Sequence, residues 1–153
     1  MAKISKSLQL RPSLIDRLTL GTQRQSQPRL RECVRRDLED LFNTRWRCSS
    51  WPPNLDELSV SLVNYGIPDF TGADLGDPDR QKEFGRILKR VVENYEIRLR
   101  NVKVINESSF KRDRTLRFRI EADLLAEPAP EPVVFNSELK PLTGKFEITG
   151  AGR

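Results

Sequence analysis

Residues 84–104 read FGRILKRVVENYEIRLRNVKV, and the chain changes character inside this stretch. Phe84, Ile87, Leu88, Val91, Val92 and Tyr95 recur at three- and four-residue spacing, the pattern of a helix with one apolar face. The periodicity breaks at Glu96-Ile97-Arg98-Leu99, and Val102 and Val104 take up the two-residue alternation of a strand. Two opposite charges, Glu96 and Arg98, therefore stand where a helix hands over to a sheet.

Beyond that point the chain reads as β. In residues 114–125, Leu116, Phe118, Ile120, Ala122 and Leu124 alternate with Thr115, Arg117, Arg119, Glu121 and Asp123, the signature of a half-buried strand. Its expected antiparallel partner is residues 101–106, across a turn at 107–113. Pro128, Pro130 and Pro132 predict a break in the sheet. Two shorter strands should follow at 133–137 and 145–148, around the turn Pro141-Leu142-Thr143-Gly144.

Upstream the chain reads as helical. Leu30, Val34, Leu38, Leu41 and Phe42 predict the buried stripe of a helix over 30–43. On its other faces Glu32/Arg36, Arg35/Glu39 and Arg36/Asp40 are opposite charges four apart, worth about 0.3 kcal/mol each and read as a solvated face. Trp46, Trp51, Pro52 and Pro53 mark an irregular connection, and residues 55–62 suggest a short helix. In the loop at 63–69, Asp69 is expected to play a structural part. Asp77 is placed to cap a helix that starts near Pro78. The expected fold is a single α+β domain over residues 29–153, with helices packed on a small, largely antiparallel β-sheet.

Residues 1–28 are polar and basic and read as a flexible N-terminal arm, with a linker at 22–28. One island interrupts it, Pro12-Ser13-Leu14-Ile15-Asp16-Arg17-Leu18, where Leu14, Ile15 and Leu18 would form one stripe of a helical turn capped by Ser13. So short a helix is marginal alone in water and needs a surface to dock on.

Composition narrows the chemistry. The 153 residues, 37% hydrophobic and 32% charged, suit one core with a wet surface. No apolar run approaches the roughly 20 residues of a spanning helix, and the first residues lack the apolar region of a secretory signal. The expected location is the cytoplasm. Cys33 and Cys48 are too few for a disulfide framework, and Cys33, near an apolar helix face, reads as a buried thiol. There is no histidine, which removes the commonest general base and metal ligand together. No metal or other cofactor is expected. The net charge of +5 permits acidic partners without choosing among them.

Five separated segments, in order, resemble one family, the small baseplate wedge proteins of contractile injection machines, and in particular their type VI secretion branch, TssE. The arm island resembles its Pro-Ser-Leu-Leu/Phe-Asp-Arg-Leu pattern. Arg36, Asp37, Leu38, Leu41, Asn43, Thr44 and Arg45 reproduce its Arg-Asp-Leu-x-x-Leu-x-Asn-Thr-Arg, and residues 63–69 resemble Leu-Asn-Tyr-Gly-Leu-Pro-Asp. Glu96 and Arg98 match the ends of its Glu-Pro-Arg, with Ile97 in place of the proline. Glu131 to Val133, Phe135, Ser137, Pro141, Thr143 and Gly144 resemble its Glu-Pro-Val-x-Phe-x-Ser…Pro-x-Thr-Gly ending.

The resemblance implies a non-enzymatic cytoplasmic subunit, in a baseplate docked at the inner membrane. It implies contact with the wedge proteins TssF, TssG and TssK, with Glu-Pro-Arg meeting the core bundle of the larger wedge subunits. It also implies a sheet edge that templates the first ring of the sheath proteins TssB and TssC by strand addition. The partner-binding candidates are Glu96 and Arg98, then Leu14, Asp16, Arg17 and Leu18 in the arm, and Arg117 and Arg119 if their hairpin supplies that edge. From spacing alone, Glu96 and Arg98 serve equally well as an ion pair inside the fold.

Two other readings stand beside this one. A lysozyme-like glycoside hydrolase needs two carboxylates about 5–9.5 Å apart, with Glu96, Glu127 and Glu131 as candidates. Arg98 next to Glu96 favours the ionised form, wrong for a general acid. A nucleic-acid-binding module would use Lys111, Arg112, Arg114, Arg117 and Arg119, but Phe118 falls on the opposite strand face, so no aromatic is interleaved for base stacking.

Overall fold

The computed structural model describes residues 18, 27–46, 54–55, 57–58, 61–70, 76–107, 115–126, 129–140 and 143–151. Two helices, α1 (Gln27–Asn43) and α2 (Pro78–Tyr95), precede four strands: β1 (Leu99–Asn106), β2 (Leu116–Leu124), β3 (Glu131–Lys140) and β4 (Lys145–Ala151). The strands form one antiparallel sheet in the order β1-β2-β3-β4. The α+β architecture is the one the patterning predicts.

The buried stripe of α1 is Leu30, Cys33, Val34, Leu38, Leu41 and Phe42, so Cys33 is a buried thiol outside any disulfide, as read. Helix α2 buries Gln81, Phe84, Leu88, Val91 and Val92, and Asp77 caps it by accepting from the Asp79 N–H, with Pro78 in the first turn. Both stripes meet the same side of the sheet. Phe84 lies 5.7 Å from Phe118 and 6.2 Å from Phe146 between ring centroids, and Phe42 lies 5.3 Å from Phe146. On β2 the alternation holds throughout: Leu116, Phe118, Ile120, Ala122 and Leu124 are buried, and the residues between them are half-buried on the opposite face.

Four expectations are corrected. Helix α1 starts at Gln27, so Pro28 belongs to its first turn, where a missing N–H costs nothing. Among the described residues of 55–62 the backbone bonds are of the tighter 3-10 kind, from the Leu58 N–H to Leu55 O and from the Ser61 N–H to Leu58 O, and a bond from the Asn64 N–H to Ser61 O leads into a 3-10 turn at Leu62–Asn64. The third strand is longer than read and takes in Pro132, which pairs with Asp123 on β2. Among the described residues β4 pairs no further along β3 than Val134, so none of them needs the N–H that Pro132 lacks.

The fourth correction concerns β1. Its register slips between Arg100 and Lys103, where Asn101 takes a φ of +53° and its amide donates to Asp123 at 2.7 Å. This bulge adds a residue and resets the phase. Leu99 and Val102 are buried at a spacing of three, and Val104 then continues on the core side.

Candidate functional site

The handover from α2 to β1 is built around a closed charge cluster. Glu96 ends α2, its N–H bonded to Val92 O at 2.9 Å. Its carboxylate accepts from the Arg98 N–H at 3.1 Å, from Arg98 Nε at 2.7 Å and from Nη2. Arg98 Nη2 also donates to Asp37 Oδ2 on α1 at 2.5 Å, and the Arg98 carbonyl accepts from the Leu125 N–H at the end of β2. One guanidinium thus ties two helices to the start of the sheet. Its planar fork suits bidentate carboxylate binding.

Burial decides what this cluster can do. The side chains of Glu96 and Arg98 are 7% and 10% exposed, and that of Asp37 26%. Burial by itself would lower the Arg98 pKa, but the hydrogen bonds and charge of Glu96, then those of Asp37, more than reverse this and raise it. The two charges meet each other inside the fold, with little of either side chain reaching solvent. Arg98 Nη1 is buried without an acceptor among the described residues.

What faces solvent here is apolar. Ile97, in the position of the family proline, is 64% exposed, while Leu99 N–H to Glu96 O at 3.1 Å closes the turn beneath it. The Tyr95 hydroxyl donates to Ser61 O at 2.9 Å, and the Tyr65 and Tyr95 rings meet edge-to-face at 5.2 Å. These contacts hold the 61–65 segment, with exposed Leu62 and Val63, beside the end of α2.

A second group of side chains controls the β4 side. Asn43 donates to Phe146 O at 3.0 Å and accepts from the Phe146 N–H at 2.9 Å. Arg35 donates to Ile148 O at 2.7 Å, and Arg45 donates to Gly144 O while its guanidinium lies 4.6 Å from the Phe70 ring centroid. Trp46 and Ile67 then tie the 63–69 loop to the end of α1, through Trp46 N–H to Ile67 O and Ile67 N–H to Thr44 O. Gly66 makes that approach possible: its φ is +104°, and a Cβ there would lie 2.3 Å from Thr44 O.

The remaining candidates are dispersed. Leu18 is helical and exposed, while Leu14, Asp16 and Arg17 lie outside the described residues. Arg117 bonds Glu138 at 2.9 Å, and Arg119 pairs with Glu107 and Glu121. Both sit on β2, an interior strand with neighbours on each side, so they do not mark a free edge. Lys111, Arg112 and Arg114 lie outside the described residues, as does Glu127. Glu131 is engaged by Arg31. Asp37, Asn43 and the Tyr65–Tyr95 contact went unassigned in the reading of the sequence, although Asp37 and Asn43 stand in the segment that carries the resemblance.

These arrangements fit what similarity to known proteins shows. The family model described as "Baseplate wedge protein gp25" matches residues 28–129, well over half of the chain. The chain belongs to this family. The matched wedge-protein region runs from α1 through β2 and contains the whole Glu96–Arg98–Asp37 cluster. No curated protein matches the sequence. Among solved structures, a chain of "The baseplate complex from the type VI secretion system" has the same fold, with a TM-score of 0.53 at 17% identity over 74% of this chain and 96% of that one. No helix among the described residues is long and apolar enough to cross a membrane.

Proposed function

We propose that this wedge-family chain serves as the TssE-type subunit of a type VI secretion baseplate, a non-enzymatic connector between the wedge core and the contractile sheath. Membership of the baseplate wedge family over residues 28–129 carries this reading. The fold shared with a chain of the type VI baseplate complex supports it. On this reading TssF, TssG and TssK are the wedge partners, TssB and TssC the sheath partners, and the setting is the cytoplasmic face of the inner membrane. The residues ahead of α1 act as a docking arm through Leu14, Asp16, Arg17 and Leu18.

The geometry refines how the Glu96–Arg98 segment would serve. With both charges committed internally, what is offered to the wedge core is exposed apolar side chains near the end of α2, Ile97 in the turn that the ion cluster closes and Leu62 and Val63 in the segment that Tyr95 holds. Apolar anchors in a fixed frame suit a protein interface. Non-enzymatic function is favoured because Glu96 and Glu131 are each held in an ion pair with an arginine of the fold itself.

Co-expression with TssF and TssG, comparing wild type with Ile97→Asp, tests this. Ile97 is exposed, so the variant should fold, and the expected result is loss of the co-purified wedge complex at unchanged melting temperature. Undiminished recovery moves the contact to the arm. A wild-type chain that recovers neither partner overturns the proposal.

A further inference from the structure

The domain and the arm each carry apolar side chains that no described residue covers, and the charges around them are of opposite sign. Exposed apolar residues scattered singly are ordinary on a protein surface. Those near the end of α2 are linked through one side chain. Leu62, Val63 and Ile97 are 86%, 40% and 64% exposed. Ile97 lies two residues beyond Tyr95, and the Tyr95 hydroxyl donates to the carbonyl of Ser61, the residue before Leu62.

The charges felt here are negative. Burial raises the Tyr65 pKa most, and the charges that add to it are those of Asp37, Asp40 and Glu96. Arg98 is shared between Glu96 and Asp37, and Asp40 is exposed. Carboxylate is therefore in excess beside the segment that carries Leu62 and Val63.

The arm has the opposite character. Ahead of α1, Lys3, Lys6, Arg11, Arg17 and Arg24 stand against a single acid, Asp16, so the arm holds nearly all of the net charge of +5. Its apolar stripe is Leu14, Ile15 and Leu18, and Leu18 is helical and 77% exposed. One turn of helix needs a surface to persist in water.

The surface near the end of α2 is within reach. Arg31 meets Glu131 at the start of β3, and the register runs from Glu131 through Leu124 to Leu99 on β1. Helix α1 thus begins at the end of the sheet where the α2–β1 turn lies, about 10 Å away across two strand spacings. Asp37, which meets Arg98, stands about 15 Å along α1 from Gln27. The chain between Leu18 and Gln27 can span up to roughly 30 Å.

Resting on the reading that the wedge core takes the Ile97 region, we propose that in the free subunit the arm docks on its own domain. Leu14, Ile15 and Leu18 cover Ile97, Leu62 and Val63, and the basic residues of the arm turn toward Asp37 and Asp40. The structure shows the open form, with both surfaces exposed. The closed form hides from premature partners the side chains that the wedge core needs. Tethering gives the arm an effective concentration on the order of mM, so a contact too weak to hold separate molecules together is populated here. The wedge core binds only the open fraction, and its apparent affinity falls by that fraction.

The test follows the methyl groups of Ile97, Leu62 and Val63 by NMR in the full chain, wild type against Leu14→Asp/Leu18→Asp. Both substitutions lie ahead of α1, and unchanged methyls of the buried Ile120 report an intact core. The variant should shift all three exposed residues, equally at every protein concentration. Added salt should move wild type toward the variant. Unmoved methyls overturn the inference. A shift that disappears on dilution overturns it as well, and gives the surface to the arm of a second copy. Indifference to both salt and Asp40→Asn overturns the charge pairing. With TssF and TssG added, the variant should associate at least about twofold faster than wild type, and equal rates overturn the covering role. If wild type recovers neither partner, the wedge reading fails and the covering role with it, while the methyl shifts still decide whether the arm docks.

Discussion

Replacing Arg98 with methionine removes a guanidinium that binds two carboxylates and leaves a shorter, apolar side chain. Glu96 is only 7% exposed on its side chain, so it would keep a charge in a site that water hardly reaches. Breaking a buried pair by deleting one partner costs about 3–5 kcal/mol, most of it the penalty of the charge left behind. Asp37, at 26% exposed, can turn toward solvent and adds little. For a domain of this size each kcal/mol shifts the melting temperature by about 2–4 °C, so Arg98→Met should melt about 6–20 °C below wild type.

The decisive comparison is the double variant Glu96→Gln/Arg98→Met. A neutral amide in the same place carries no ionic desolvation penalty, so the double variant should recover at least about 2 kcal/mol of the loss. Residues in direct contact routinely show coupling of that size. Urea unfolding of wild type, both single variants and the double variant, with the slopes compared, gives the cycle. Additive single losses, or a cost below about 1 kcal/mol for Arg98→Met, would refute the argument that the cluster is a closed structural tie.

Asn43→Ala leaves the Phe146 N–H and C=O without their side-chain partners and should cost about 1–3 kcal/mol by thermal melting. It also reopens a sheet edge, so concentration-dependent aggregation measured by light scattering should increase. Gly66→Ala forces a Cβ to 2.3 Å from Thr44 O at a φ of +104°; a loss of at least about 3 kcal/mol is expected in urea titration. Burial raises the Tyr65 pKa, with smaller contributions from Asp37, Asp40 and Glu96, and burial raises that of Tyr95. The folded state therefore favours the neutral phenols. Their contribution to stability is intact below the unfolded value of about 10 and is lost as pH rises through the higher folded values. Unfolding free energy should fall from about pH 10 upward, with phenolate absorbance at 295 nm lagging behind that of the unfolded chain.

Much of the fold was legible because its signals are local. The stripe of α1, the Asp77-Pro78 start of α2 and the alternation of β2 each follow from a single stretch of chain. The bulge at Asn101 escaped notice because it depends on a cross-strand contact with Asp123 that no local period encodes. Pro132 misled for a related reason: a proline breaks a strand only where a neighbour needs its N–H, and among the described residues β4 pairs no further than Val134. The site shows the same division. Glu96 and Arg98 stood out in the sequence, yet their direction was undecidable until Asp37, about sixty residues earlier, was seen to complete the cluster.

That third residue changes what the handover segment means physically. A surface ion pair is worth about 0–1 kcal/mol and tolerates change, whereas this buried fork joins α1, the end of α2 and the start of β1 through one side chain. Its energy goes into fixing the turn that carries Ile97, and where β1 leaves the helix. A proline at the Ile97 position would pre-set one backbone angle of that turn. Here the turn has no such covalent restraint, and its shape rests on the Glu96–Arg98 hydrogen bonds and the Leu99 N–H to Glu96 O bond. Ile97 sits in that turn and β1 starts from it, so weakening the cluster should loosen both together, even though neither Ile97 nor β1 belongs to the cluster.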